Sequence, residues 1–277
     1  MMQINLEVLE KQANKFNQYI HFNDKNDSPL NFIDGKSILV KEEGYKALVP
    51  NRSRTVLNVE EWDESWIGSG KIQSRICKIM DLGYNLTNFN SRIDFRKHFE
   101  SDKKEYNPDS ERVIYEIYKG SDDKSAFEHA IEVFGAKYPI IAYLFFVKDE
   151  NKYLPTSPSR FDLAFKELGI DFEMSFKCSW DNYTQYIEII KNIGNLMPQY
   201  LDISHNVRLL DAHSFVWIIG EEKYMDWNEN PSDINVPMKP KDIIKDEHGL
   251  TKYQCPRCDS FFKQAKRCPE CGQAIEV

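Results

Sequence analysis

The sequence predicts an α+β protein: a main body mixing helices and strands, followed by a small cysteine-rich module. Three observations carry this. Apolar residues recur at three- and four-residue steps in several segments, the mark of helices with one buried face. Short apolar runs between turn-forming residues read as strands. Four of the six cysteines fall within the last 23 residues, as two matched pairs. The chain has 277 residues, 41% of them hydrophobic and 13% aromatic, enough for a real core and too much for a disordered chain.

Taken in order, residues 2–20 read as a helix, with Leu6, Leu9, Ala13, Phe16 and Ile20 on one face. Residues 23–29 are a turn by composition. Residues 37–40 and 45–49 look like two short strands around a Gly-containing turn. Residues 53–66 carry no clear period and are left unassigned. Ile72, Ile76, Ile79 and Met80 predict a helix over 71–82 that Gly83 ends. Residues 100–111, charged and Pro-containing, suit an exposed connection, and 112–119 fit helix or strand equally. Phe127, Ala130, Ile131 and Phe134 predict a helix over 124–134.

The near-continuous apolar run 139–147 reads as a strand buried on both faces. Pro158 at a first helical position, with Ser157 as cap, predicts a helix over 158–168. Ser179 caps a long helix from Trp180 to about Met197. Residues 207–210 are a short strand or helix entry, and Asp211 is the expected N-cap of an apolar helix reaching Ile219. Pro231, Pro237 and Pro240 mark 227–250 as a linker. The expected organisation is therefore 1–106 and 107–226, as two regions or one domain, then the linker and a module at 251–277.

Charge narrows the function. Against 36 Lys and Arg stand 44 Asp and Glu, a net −8. A chain of this sign does not coat nucleic acid through overall charge, so any such contact must be local. The imbalance is uneven. Residues 1–225 hold 35 acidic and 28 basic side chains, residues 226–250 six and three, and residues 251–277 three and five. No apolar run is long enough to span a bilayer, and the N-terminus lacks a basic-then-apolar pattern, so a soluble, cytoplasmic protein without a membrane partner is expected.

Cys77 and Cys178 stand alone in apolar patterns and read as buried small hydrophobes. The others behave as a group. Cys255 and Cys258 are separated by two residues, as are Cys268 and Cys271, with nine residues between the pairs. Each pair forms a knuckle that points two thiolates at one ion, and two knuckles complete a four-sulfur tetrahedron, which zinc prefers. Pro256 and Pro269 occupy matching places, and Gly272 permits the turn after the second pair. This tail resembles the zinc ribbon family over roughly its last 25 residues. The expected cofactor is one structural Zn²⁺ on Cys255, Cys258, Cys268 and Cys271, since four cysteines leave no position for water. An iron site of rubredoxin type shares the spacing. Between the knuckles, Phe261 and Phe262 precede Lys263, Lys266 and Arg267. An aromatic beside cations suits stacking on bases with contacts to phosphate, here through Phe262, Lys263, Lys266 and Arg267. The same residues also fit protein docking or a minimal core with a solvated tip.

Other motifs are weaker. Gly68, Ser69, Gly70 and Lys71 suggest a phosphate loop, but Ser65 and Ile72 stand where a glycine and a Mg²⁺-binding hydroxyl are required. What survives is a Gly-rich helix start able to hold one phosphate. A PD-(D/E)xK nuclease would need alternation that neither Asp109, Glu116 and Lys119 nor Glu173 and Lys177 provide. His213 follows Asp211 by two residues, so the two do not face each other on a helix, and a lone His beside Phe215 and Trp217 is usually a satisfied, partly buried residue. The loop 153–162 offers Thr156, Ser157, Ser159 and Arg160 beside a helix N-terminus, which suits a phosphate or polar ligand, or an ordinary capped helix start.

Segments 137–149, 153–170, 178–183 and 209–219 together resemble a region of bacterial modification-dependent restriction proteins that accompanies HNH nuclease modules. The chain shows no HNH-like cluster, so the resemblance implies a reader or accessory subunit of a defence or DNA-processing system, without its own nuclease. The expected recognition pocket uses Arg160, Asp211 and His213 as polar groups and Tyr153, Trp180 and Trp217 as stacking faces. DNA or RNA, held by local contacts, and a protein subunit are the expected partners. Two other readings stay open: a docking subunit that never touches nucleic acid, and a divergent metal-dependent nuclease within 100–220.

Overall fold

The computed structural model describes residues 4–25, 28–83, 86–87, 89–98, 108–225, 227, 238–245, 249–257, 259–263, 266–269 and 274–276. The chain divides into two compact units, Met1–Met225 and Asp226–Val277. Helices build the first and a three-stranded antiparallel sheet the second, so the α+β class holds for the chain as a whole.

The helical unit opens with α1 (Leu6–Asp24), whose N-cap Asn5 accepts the amides of Glu7 and Val8. Leu9, Ala13, Phe16 and Ile20 form its buried face, as their spacing predicts. The strands expected at 37–40 and 45–49 are helices instead: α2 (Ile38–Glu43), capped by Ser37, and α3 (Tyr45–Leu57). Each apolar run there is too short to reveal its period. The deciding pattern spans both sides of it, with Val49, Ser53 and Leu57 buried at four-residue steps on α3. Two 3-10 turns, Val59–Glu61 and Glu64–Trp66, fill the unassigned stretch. Next come α4 (Lys71–Leu82), which stops at Gly83 as expected, and α5 (Phe89–Lys97).

The segment 112–119 resolves as part of α6 (Pro108–Lys119). The exposed connection expected over 100–111 therefore ends at 107 at the latest, and Glu111 is fully buried. Residues 99–107 lie outside the described residues. α7 (Asp123–Phe134) follows, with Asp122 as its cap.

The largest departure from expectation is α8 (Tyr138–Lys148), read from sequence as a strand. Tyr138 and Ile140 to Val147 are all buried, so the helix is apolar on every face. A helix buried all round has no amphipathic period to display, and sequence periodicity cannot separate it from a buried strand. α3, α5, α6 and α7 pack around it. The Tyr143 hydroxyl donates to the Ile79 carbonyl at 2.7 Å and lies 3.3 Å from Ser53 Oγ. The Tyr143 ring presses so close to Gly83 that a Cβ there would lie 2.4 Å from it.

α9 (Pro158–Glu167) begins where Pro158 predicts, though the Ser157 side chain makes no capping bond. α10 (Trp180–Leu196) is capped by Ser179, which accepts the Asn182 amide at 3.2 Å. α11 (Leu209–Ile219) starts two residues before the expected cap, so Arg208 is the N-cap and Asp211 the third helical residue. Asp211 still serves the helix start, accepting the Arg208 amide at 2.8 Å. The short α12 (Glu222–Met225) ends the unit. Among the described residues no helix is long and apolar enough to cross a membrane.

In the second unit, β1 (Asp242–Lys245), β2 (Thr251–Gln254) and β3 (Phe261–Lys263) form a sheet in that order. β1 lies inside the stretch expected to be linker. It pairs along the outer edge of β2, and Met238 bridges to Ile275. The C-terminal module therefore begins well before residue 251.

One bond set ties α6 to α4. The Glu111 carboxylate accepts the amides of Gly68 at 2.7 Å, Gly70 at 3.2 Å and Gln73 at 2.8 Å. Gly68 and Gly70 have φ of +81° and +79°, which aim these amides inward and which L side chains rarely adopt. Glu111→Ala would leave the donors unpaired, at a cost on the order of 3 kcal/mol. Urea unfolding should show this loss, and an unchanged midpoint would refute the role assigned to Glu111.

Candidate functional site

The sheet of the C-terminal unit has two different faces. Strand alternation puts Tyr253 and Phe262, register partners with ring centres 6.4 Å apart, on one of them. There Phe262 is buried with Cys255, Cys268 and Ile275. Phe262 therefore covers the cysteines, and its neighbour Phe261, 49% exposed, takes the outward place expected of Phe262. The other face carries Phe261 opposite Gln254 and Lys263 opposite Lys252, so one flat aromatic and two ammonium groups share a surface.

The first knuckle is built around a sulfur. The Cys255 amide donates to the Ser260 carbonyl at 3.0 Å, and its carbonyl accepts the Asp259 amide at 3.1 Å. Asp259 takes φ +58° to close the turn. The Arg257 amide then points at Cys255 Sγ, 3.4 Å away. Ser260 Oγ lies 3.3 Å from Cys268 Sγ. Cys255 and Cys268, the leading cysteines of the two knuckles, are both buried. Sulfurs that collect hydrogen-bond donors suit thiolates holding a metal, because donors delocalise the thiolate charge. Cys258 and Cys271 lie outside the described residues, and among those described no group of three or more metal-ligating side chains gathers. Lys263, Lys266 and Arg267 are exposed.

The pocket residues expected in the helical body fall into three places. Arg160, His213 and Trp217 come together. The His213 and Trp217 rings stack at 11° with centres 6.3 Å apart, and Arg160 Cζ lies 5.3 Å from the Trp217 ring centre. Arg160 also donates to the Gly220 carbonyl at 2.9 Å. Tyr153 and Trp180 meet separately, among Phe127, Phe145 and Tyr183. The Tyr153 hydroxyl donates to Asp123, and burial followed by this carboxylate pushes it up to about 12. Asp211 sits apart from both. Arg208 holds it through Nε at 3.1 Å and Nη2 at 2.6 Å, and His205 Nε2 lies 3.0 Å away.

The loop 153–157 and α11 do converge, through backbone. The Pro155 carbonyl accepts from the Tyr186 hydroxyl at 3.0 Å and from His213 Nε2 at 3.1 Å. Tyr183 brackets Leu154, accepting its amide at 3.2 Å and donating to its carbonyl at 2.7 Å. These contacts occupy the Leu154 amide and carbonyl, the Pro155 carbonyl and His213 Nε2. His213 is a satisfied buried residue on its Nε2 side, and burial, with the Lys46 charge adding, holds it well below the usual imidazole range. The Gly-rich start of α4 is likewise taken, by Glu111.

Sequence reasoning missed the charges beneath Trp217. Lys46 and Glu43 form a buried ion pair, with Lys46 Nζ 4.5 Å from the Trp217 ring centre. Burial pushes the Glu43 carboxyl up and the Lys46 ammonium down, each opposed by the other's charge. Nothing in residue type singles out these two among so many charged residues. Only a helical reading of 38–57 would have placed them inward. Of the acids considered for a nuclease, Glu116 meets His129 at 2.7 Å, and Glu173 meets Lys177, the lysine considered with it, at 3.2 Å. Glu116 and Lys119 lie on a helix rather than a strand. Cys77 and Cys178 are only partly buried, and desolvation pushes the Cys178 thiol up to about 12. No family model matches the chain, and neither does any curated protein or solved structure.

Two measurements check this cluster. Lys46→Met should cost about 3–5 kcal/mol by leaving Glu43 buried and uncompensated, while Glu43→Leu with Lys46→Met should cost much less. A double mutant as unstable as the single one would contradict a desolvation-limited pair. His213 is neutral when folded and more basic when unfolded, so below about pH 6.5 the unfolded chain takes up the proton. Stability should then fall with decreasing pH by up to about 1.4 kcal/mol per unit. His213→Gln should flatten that dependence in urea titrations, and an equal slope in both proteins would refute it.

Proposed function

We propose that the chain is a nucleic-acid-interacting protein whose C-terminal unit is a zinc ribbon. It acts as a reader or accessory subunit in a bacterial defence or DNA-processing system and works beside a protein partner. The observation that carries the reading is the two-faced sheet. One face buries Cys255 and Cys268, and the other presents Phe261 with Lys252 and Lys263. An exposed aromatic among cations can stack on a base while the cations meet phosphate.

Cys255, Cys258, Cys268 and Cys271 would hold one Zn²⁺, with the Arg257 amide and Ser260 hydroxyl stabilising the sulfurs. The metal would supply folding energy to a unit with few buried apolar side chains. Lys266 and Arg267 extend the cationic surface beyond the sheet. The acidic body supports a partner subunit that contributes further positive surface, since residues 1–225 carry a net negative charge. The resemblance of the segments between 137 and 219 to restriction-associated proteins supports the biological setting.

Metal analysis of reduced protein should return one zinc per chain, and Cys255→Ser should unfold the tail locally. Iron, or no metal, would overturn the zinc assignment. Labelled DNA or RNA should bind with an affinity that falls steeply with salt, and Phe261→Ala with Lys263→Glu should weaken it by on the order of tenfold or more. Unchanged binding by that variant would remove the ribbon from the interface. Absence of binding at low salt, with a protein complex retained at high salt, would favour a docking subunit instead.

A further inference from the structure

We propose that a basic groove on the helical body binds a single-stranded segment of nucleic acid. The inference rests on the nucleic-acid reading above and adds to it a second contact and a substrate class. The groove encloses about 680 Å³ and is lined by Val56, Glu61, Trp66, Ser69 and the outer side of α4. Lys71, Arg75 and Lys78 line it from α4, at spacings of four and three that share one helix face. They extend over about 10 Å of helix axis at 1.5 Å per residue, room for successive phosphates rather than one.

Lys71 and Lys78 keep their charge, whereas Arg75 is spent on Glu61 and on the carbonyls of Val56 at 2.9 Å and Leu57 at 3.1 Å. Lys71 Nζ lies 5.0 Å and Arg75 Cζ 5.3 Å from the Trp66 ring centre. A ring fixes a cation while leaving its charge free for an anion. Glu61, the one acid among the described lining residues, is engaged by Arg75 at 2.8 Å, so none of their carboxylates remains for Lys71 or Lys78. Lys71 and Arg75 stand in the first turns of α4, where the helix dipole disfavours cations. The backbone amides there contribute nothing, because Glu111 holds Gly70 and Gln73. Recognition is therefore by side-chain charge along a trough. Trp66 is partly exposed in that trough, which selects the strand type. Lys71 and Arg75 lie over this ring and Trp62 stacks on it with centres 6.2 Å apart, so a base of a single strand takes the indole by displacing the cations onto its own phosphates; a duplex keeps its base faces inside.

The test uses the full chain and a fluorescein-labelled oligothymidine, read by anisotropy across a salt series. Lys71→Gln with Lys78→Gln should weaken binding by on the order of tenfold and reduce the log–log salt slope by about 1.4. Trp66→Leu should weaken binding with little change in slope. Bound oligothymidine should also shield Lys71 and Lys78 of the native chain from an amine-reactive reagent, a readout independent of any variant's folding. Native affinity and slope in the double variant, or no shielding, overturn the groove. Tighter binding of a matched duplex overturns the single-strand assignment. A loss confined to Phe261→Ala with Lys263→Glu defeats the groove and leaves the ribbon reading standing. A loss confined to the groove variants does the reverse, and no binding by the native chain defeats both.

Discussion

Everything in the helical unit answers to one constraint: α8 is apolar on every face and must be surrounded. Its residues from Ile140 to Val147 are inaccessible to solvent, so the neighbouring helices, α3, α5, α6 and α7 foremost, have to supply complementary surfaces. Where α8 carries a polar atom, the shell must answer it. The Tyr143 hydroxyl reaches the carbonyl of Ile79 near the end of α4, which also accepts the Gly83 amide, and only a glycine at 83 lets the ring approach that closely. The same logic recurs at Tyr183 and Tyr186, whose hydroxyls staple the loop after α8 to α10. A core this rich in tyrosine stays stable because these hydroxyls find partners, backbone carbonyls for Tyr143, Tyr183 and Tyr186 and side chains for Tyr138 and Tyr153.

Buried charge follows a second rule. Glu111 enters the core because three amides await it, and Glu43 because Lys46 meets it. Both arrangements consume features that look functional in isolation. The Gly68–Lys71 turn has the form of an anion cradle, and its anion is a side chain of the same protein. Asp211 and His213 have the composition of an acid–base pair, yet one is clamped by Arg208 and the other spends its Nε2 on Pro155. The cations lining the helical groove and the outer sheet face are a different set: Lys71, Arg75 and Lys78 beside Trp66, and Lys252 and Lys263 beside Phe261.

That set reconciles a net charge of −8 with the polyanionic ligand proposed above. Acidic residues over most of the surface discourage indiscriminate binding, while two cationic surfaces with an aromatic in each stand in separate units. An arrangement of this kind favours strand contacts at defined places over coating along a duplex.

The sequence by itself determined what depends on local spacing. The buried face of α1, the limits of α4 and the caps Ser37 and Ser179 follow from patterns within a few turns, though Ser37 lay unread beneath an expected strand. The cysteine pairs declare a module because thiolate spacing is itself the chemistry. Only tertiary structure decided α8, since burial on all sides erases the period that separates helix from strand. It also decided which charges point inward. Glu43, Lys46 and Glu111 are indistinguishable in sequence from the many acids and lysines that face water. Their roles come from partners distant along the chain or hidden by a misread element, and a residue's type records nothing of what will be packed against it.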